Sequence, residues 1–268
     1  MIRLPIPARA AVGGAATLAL LVLGGAGLLA QRGGGVFGGG GGMRNYAPIV
    51  PNPRYDGRFT FVRLRYGPPT TFAAQSVPWS HDYPTGEQHF MKIMNEVTYL
   101  NARTEDTSIF ALDDPQLFKY PIAYLCEPGS WEMTEREAQS LRAYMLKGGF
   151  LIVDDFRFIH WQNFEEQMRR VLPNVEFFDL DESSPIYHDA FFQITGLAAL
   201  PNYYDRGAPI FRGIFENNDP TKRLMAIINF NTDISEFWEW SDTGLKPVDE
   251  SNDAYKLGVN YIMYGMTH

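Results

Sequence analysis

The sequence predicts an α/β fold: three layers, with a mostly parallel sheet carrying helices on both faces. Three observations support this. Short apolar runs suited to buried strands recur along the chain, segments with helical spacing alternate with them, and turn residues separate the two kinds. With 268 residues, 45% hydrophobic and only 20% charged, the chain can bury one sizeable core.

The first 31 residues read as a signal peptide or membrane anchor. Arg3 and Arg9 precede an uncharged run from Ala10 to Ala30, and a spanning helix needs roughly 20 apolar residues. Small residues at Ala26, Gly27 and Ala30 suit peptidase cleavage; if uncleaved, residues 10–30 would anchor the chain in a membrane. Gly33 to Gly35, Gly38 to Gly42 and the prolines 48, 51 and 53 make residues 32–57 a tether. The expected address is therefore outside the cytoplasm, in the periplasm or cell envelope. The folded domain is expected over residues 58–268.

Arg58 to Tyr66 alternates, with Thr60, Val62, Leu64 and Tyr66 on one face and Phe59, Phe61, Arg63 and Arg65 on the other, so it is the first strand. Phe90, Ile93, Met94, Val97 and Leu100 are spaced as a helix. Tyr120 to Cys126 is a buried strand between Pro121 and Glu127-Pro128-Gly129. Thr134 and Glu137 form a capping-box pattern, Leu141, Tyr144 and Met145 the apolar stripe, and Gly148-Gly149 the stop. Phe150 to Val153 is a strand ending at Asp154-Asp155. Trp161 to Leu172 is a helix closed by Pro173. Val175 to Leu180 and Leu224 to Phe230 read as strands, and Ala254 to Met266 as the last helix.

A net charge of −8 offers no basic surface for phosphates, so no nucleic-acid partner is expected. A single cysteine, Cys126, excludes an internal disulfide framework and any cysteine-clustered metal site. The chain lacks G-x-S-x-G, G-x-G-x-x-G and P-loop patterns, and no cofactor is expected.

Ligands of open parallel sheets bind at the carboxyl ends of the strands. That rule selects Arg63, Arg65, Glu127, Asp154 and Asp155 as ligand-binding candidates, with Arg157 beside the paired acids, and it brings the later strand ends near Asp181 and at Asn231 and Asp233 to the same edge. Trp79, His81 and Asp82 join them because Trp79 to Pro84 precedes a helix N-terminus. His188, in Ser184-Pro185-Ile186-Tyr187-His188, completes the set. An acid at the end of an apolar strand needs a partner, a metal or a proton, and Arg157 and His160 are the nearby partners. A metal reading would combine Asp154, Asp155 and His188 or His81, but no ligand spacing supports it, and no metal is expected. Cys126 reads as a buried structural thiol, having no flanking glycines of a nucleophile elbow. Phe237-Trp238-Glu239-Trp240 is either core or a sugar-stacking surface.

Together, Phe61-x-Arg63-x-x-Tyr66, Trp79-x-x-Asp82-Tyr83-Pro84, Tyr120-Pro121, Lys147-Gly148-Gly149-Phe150 with Asp154-Asp155, Pro185-Ile186-Tyr187-His188, and Gly258-Val259-Asn260 with Tyr264 resemble an exported bacterial family. It is the domain-of-unknown-function family numbered four-one-five-nine. The resemblance implies a class I glutamine-amidotransferase-like, flavodoxin-like sheet in a cell-envelope setting. In amidotransferases the strand equivalent to Phe150 to Val153 leads into a Gly-x-Cys-x-Gly elbow; here Asp154-Asp155-Phe156 follows it, so glutamine hydrolysis is not implied. The expected function is an exported, non-catalytic domain binding an envelope protein or glycan. The alternatives are a hydrolase of envelope glycans or esters using Asp154, Asp155 and His188, and a scaffold in a membrane complex.

Overall fold

Apolar runs such as Ile122–Cys126 (β3) and the first four residues of Phe150–Phe156 (β4) are stable as strands when both faces are covered, and both strands lie fully buried in the middle of the sheet. The computed structural model describes residues 50–67, 77–197 and 207–268. The predicted signal or anchor segment and the glycine runs of the tether lie outside them. Among the described residues, no helix is long and apolar enough to cross a membrane.

Five parallel strands form most of the sheet: β1 (Val62–Arg65), β2 (Ser108–Ala111), β3, β4 and β7 (Leu224–Phe230). β6 (Ile210–Phe215) runs antiparallel to β7, and the two-residue β5 (Phe178–Asp179) closes that edge, giving the order β2-β1-β3-β4-β7-β6-β5. The chain reverses direction across the sheet between β1 and β3, opening a crevice at their carboxyl ends.

Helices cover both faces. Thr85–Val97 (α1), Ile234–Glu239 (α4) and Val248–Thr267 (α5) pack on one, burying Phe90, Met94, Trp238 and Tyr261 against Phe61, Tyr124 and Ile152. Glu135–Leu146 (α2) and Trp161–Val171 (α3) pack on the other, burying Leu141, Met145, Phe164 and Met168 against Leu64, Leu125 and Val153. The alternation along β1 is as expected, with Phe59 and Phe61 in the first cluster and Val62, Leu64 and Tyr66 in the second. The capping box of α2 is present in full: Thr134 accepts from the Glu137 N–H, and the Thr134 N–H donates to the Glu137 carboxylate at 2.7 Å. Gly148 ends that helix at φ +112°, a conformation open to glycine.

Several elements differ from expectation. An edge strand absent from the sequence reading, β2, with only four residues, covers β1 and makes it an interior strand. β4 does not stop at Val153 but runs to Phe156 through a register shift, placing Asp154 and Asp155 inside the strand. The expected strand over Val175 to Leu180 shrinks to Phe178–Asp179 and pairs with β6, an element with no clear alternation. Phe237 and Trp238 belong to α4 and to the core, where Trp238 stacks on Phe90 at 4.3 Å; this leaves neither ring free to stack on a sugar.

Candidate functional site

At the carboxyl end of the sheet, left-handed residues that are not glycine turn the chain at four places: Glu127 after β3, Asp155 in β4, Asn231 after β7 and Asp82 in the loop that follows β1. Such backbone conformations cost about 1–3 kcal/mol each and persist where the surrounding structure enforces them. Here Tyr66 Oη donates to the carbonyls of Cys126 and Glu127, at 3.0 and 2.6 Å, and the Asn231 N–H donates to the Phe156 carbonyl. The turns bring four side chains together. One ring nitrogen of His81 and one carboxylate oxygen from each of Asp82, Asp155 and Asp233 all lie within 4.8 Å of one another.

His81 Nδ1 is 2.7 Å from Asp155 Oδ2, 3.5 Å from Asp82 Oδ1 and 3.8 Å from Glu127 Oε1. The Cys126 thiol contacts the same Asp155 oxygen at 3.7 Å. His81 is held from behind, because Arg63 Nη1 donates to the carbonyls of Trp79 and His81 at 3.0 and 2.8 Å, while Arg63 Nε pairs with Glu87 of α1. Asp233 caps α4 by accepting from the Glu236 N–H at 2.9 Å, and Ser235 Oγ donates to Asp82 at 2.6 Å. Asp154 points to the same layer but is fully committed: Tyr124 Oη, Asn229 Nδ2 and the N–H groups of Ile234 and Ser235 all donate to it.

Burial sets the electrostatics. It pushes the carboxyls of Asp82 and Asp233 well above the usual range, and mutual repulsion with Asp155 adds to the effect. Asp154 rises to about 6 for the same two reasons, against the pull of its hydrogen-bond donors. Burial acts to lower the pKa of His81, but the Asp155 hydrogen bond and the charges of Asp82, Asp155 and Glu127 outweigh it and raise it to about 10. Burial, together with Asp155, pushes the Cys126 thiol well up and keeps it unreactive, as its sequence context suggested.

The family described as Domain of unknown function (DUF4159) matches residues 60–266, which takes in every residue of this cluster. The chain belongs to that family. No curated protein matches it. Within this DUF4159 chain, the sequence candidates separate into three groups. His81, Asp82, Glu127 and Asp155 are brought together as one site. Arg63, Trp79 and Asp154 stand directly behind it as buried supports: Arg63 is 1% exposed and bound to Glu87, and Trp79 lies in the core.

Arg65, Arg157 and His188 are the remainder. Arg65 is half-buried on β1, and Arg157 is exposed. Tyr124 and Asn229 donate to Asp154, and His81 lies against Asp155. His188 faces solvent and uses both ring nitrogens locally, on Asp189 Oδ1 and the Ser183 carbonyl. It does not assist Asp154. Sequence reasoning placed Asp233 among the polar residues at the strand ends but did not carry it into the candidate set. It also missed Ser235, whose role depends on a helix too short to show periodicity.

Proposed function

We propose that this chain is an exported, non-catalytic binding domain of the cell envelope, built on a class I glutamine-amidotransferase-like sheet, with a small positively charged ligand held at the strand ends. One observation carries this reading. Asp82, Asp155 and Asp233 are all buried around His81, three carboxyls about a single imidazole, while Arg63, which holds the His81 backbone, is committed to Glu87. Acids removed from water require compensating charge, and a ligand supplies it where protein groups do not. The N-terminal hydrophobic run supports export, and an aspartate in place of the amidotransferase thiol supports loss of that chemistry. Two clefts, of about 730 and 600 Å³, are lined by other residues, around Phe178 to Ile186 and β6.

A thermal-shift screen of the full chain against amines, divalent metals and envelope glycan fragments tests the reading, repeated on Asp155→Asn. A stabilising ligand whose effect disappears in the variant supports it. A screen without hits, together with co-purification of a membrane protein, would replace it by the scaffold reading.

One feature favours a hydrolase as the second reading. Asp155 sits at the strand end with φ +58° and a histidine at 2.7 Å, the placement of an activated acid or base. His81, not His188, is then the assisting group. Turnover of ester or glycoside substrates that is lost in Asp155→Asn with the fold intact is the result that would establish it.

A further inference from the structure

Resting on the binding reading and naming its ligand, we propose that His81, Asp82, Asp155 and Asp233 hold one divalent transition-metal ion of the Zn²⁺ or Mn²⁺ class.

The geometry is close to that of a loaded site. First-row metals bind nitrogen and oxygen at about 2.0–2.2 Å, so two ligands of one ion stand at most about 4.4 Å apart. The four donor atoms already lie within 4.8 Å of one another, and a few tenths of an ångström close the set.

A second observation is independent of the clustering. Asp233 is 0% exposed; its Oδ1 accepts from the Glu236 N–H, and its Oδ2 has no hydrogen-bond partner. A sealed carboxylate oxygen without a donor is costly, and each such atom in a native structure calls for a missing partner. Ordinary helix capping explains one oxygen of Asp233 and leaves the other.

The surroundings are those of ligands held from outside. Ser235 Oγ lies between the two carboxylates, 2.6 Å from Asp82 Oδ2 and 3.0 Å from Asp233 Oδ1, with its one proton directed to the nearer, and Arg63 fixes the backbone of His81. His81 and Glu127, with side chains 21% and 32% exposed, form the entry from solvent. One imidazole with three carboxylates selects a borderline ion over Mg²⁺ or Ca²⁺, which prefer all-oxygen shells. On binding, the ion takes the Nδ1 lone pair of His81, and any proton held there leaves to solvent.

The test uses the full chain, stripped with a chelator, in equilibrium dialysis and thermal melts with Zn²⁺, Mn²⁺ and Mg²⁺. One Zn²⁺ or Mn²⁺ per chain is expected, raising the midpoint by roughly 5–10 °C at 100 times the dissociation constant, with Mg²⁺ inert. Asp233→Asn keeps a good helix cap, and His81→Gln alters the half-exposed side of the site. Each is expected to weaken binding at least about tenfold while leaving the circular-dichroism spectrum folded. Absence of one-to-one binding by the unaltered chain, or binding unchanged in both variants, overturns the proposal. If an organic cation stabilises the chain through Asp155 while neither metal binds, the metal assignment falls and the binding reading stands. If neither metal nor organic cation binds, both fall.

Discussion

His81 and Asp155, 74 positions apart, meet with Nδ1 2.7 Å from Oδ2 at the carboxyl end of the sheet, inside a ring of buried acids. Their contact joins the loop after β1 to the end of β4. It makes the protonated state of the cluster part of the stability of the fold.

The metal-free chain is therefore expected to melt at a higher temperature at pH 5 than at pH 8. His81 rises from 6.5 to about 10, so its stabilisation is complete below pH 6.5 and is lost as pH climbs toward 10. Asp154 rises from 3.8 to about 6, and Asp82 and Asp233 rise as well; each binds more protons folded than unfolded, so stability also falls as pH rises through their window. Burial lowers His160 and opposes the trend from a single, half-buried ring. Melting curves across pH 5 to 8 check this, and Asp155→Asn is expected to flatten them.

Glu87→Gln is expected to destabilise the fold by about 3–5 kcal/mol, because it leaves Arg63 charged in a site 1% exposed to solvent. Replacing both partners together by Met and Leu should recover much of that loss, since no buried charge is then left alone. Denaturant midpoints of the single and double variants decide the matter. A loss below 1 kcal/mol in the single variant would show that water reaches Arg63.

Asp154 and His188 should part company on mutation. Asp154→Ala removes the acceptor for Tyr124, Asn229 and two backbone N–H groups, and a loss of at least about 3 kcal/mol of stability is expected, which makes it a variant of the fold. His188→Ala on the exposed loop should change stability by less than about 0.5 kcal/mol and leave ligand binding intact. Urea unfolding of both, with binding measured on His188→Ala, tests the pair.

Gly258→Ala probes how closely α5 approaches α1 and α4. A Cβ there would stand 2.7 Å from both Phe90 Cζ and Trp238 Cζ2, two rings already stacked at 4.3 Å. Overpacking of that kind costs about 1–3 kcal/mol, more than the roughly 1 kcal/mol that alanine returns in helix propensity. A net drop in the midpoint is expected, measurable by thermal melts.

The α/β class, the two-faced alternation of Phe59 to Tyr66, the buried runs at β3, β4 and β7, and the complete cap at Thr134 and Glu137 were all legible in the sequence. Each is a local matter, written in side-chain period or in a spacing of three residues. The same local logic drew attention to Glu127 and Asp155 as polar groups at strand ends and to His81 and Asp82 as polar groups before a helix N-terminus. β2 and β6 were not legible, because four residues of edge strand and an irregular antiparallel strand carry little periodicity and are held by their neighbours. The site's assembly was decided only in three dimensions. That His81 rather than His188 reaches Asp155, that Arg63 turns inward to Glu87, and that Asp233 brings a sealed oxygen to the group all depend on strand order and on left-handed turns spread across some 150 residues between Asp82 and Asn231. Periodicity determines which residues are buried; the packing of distant segments determines which buried charges face one another.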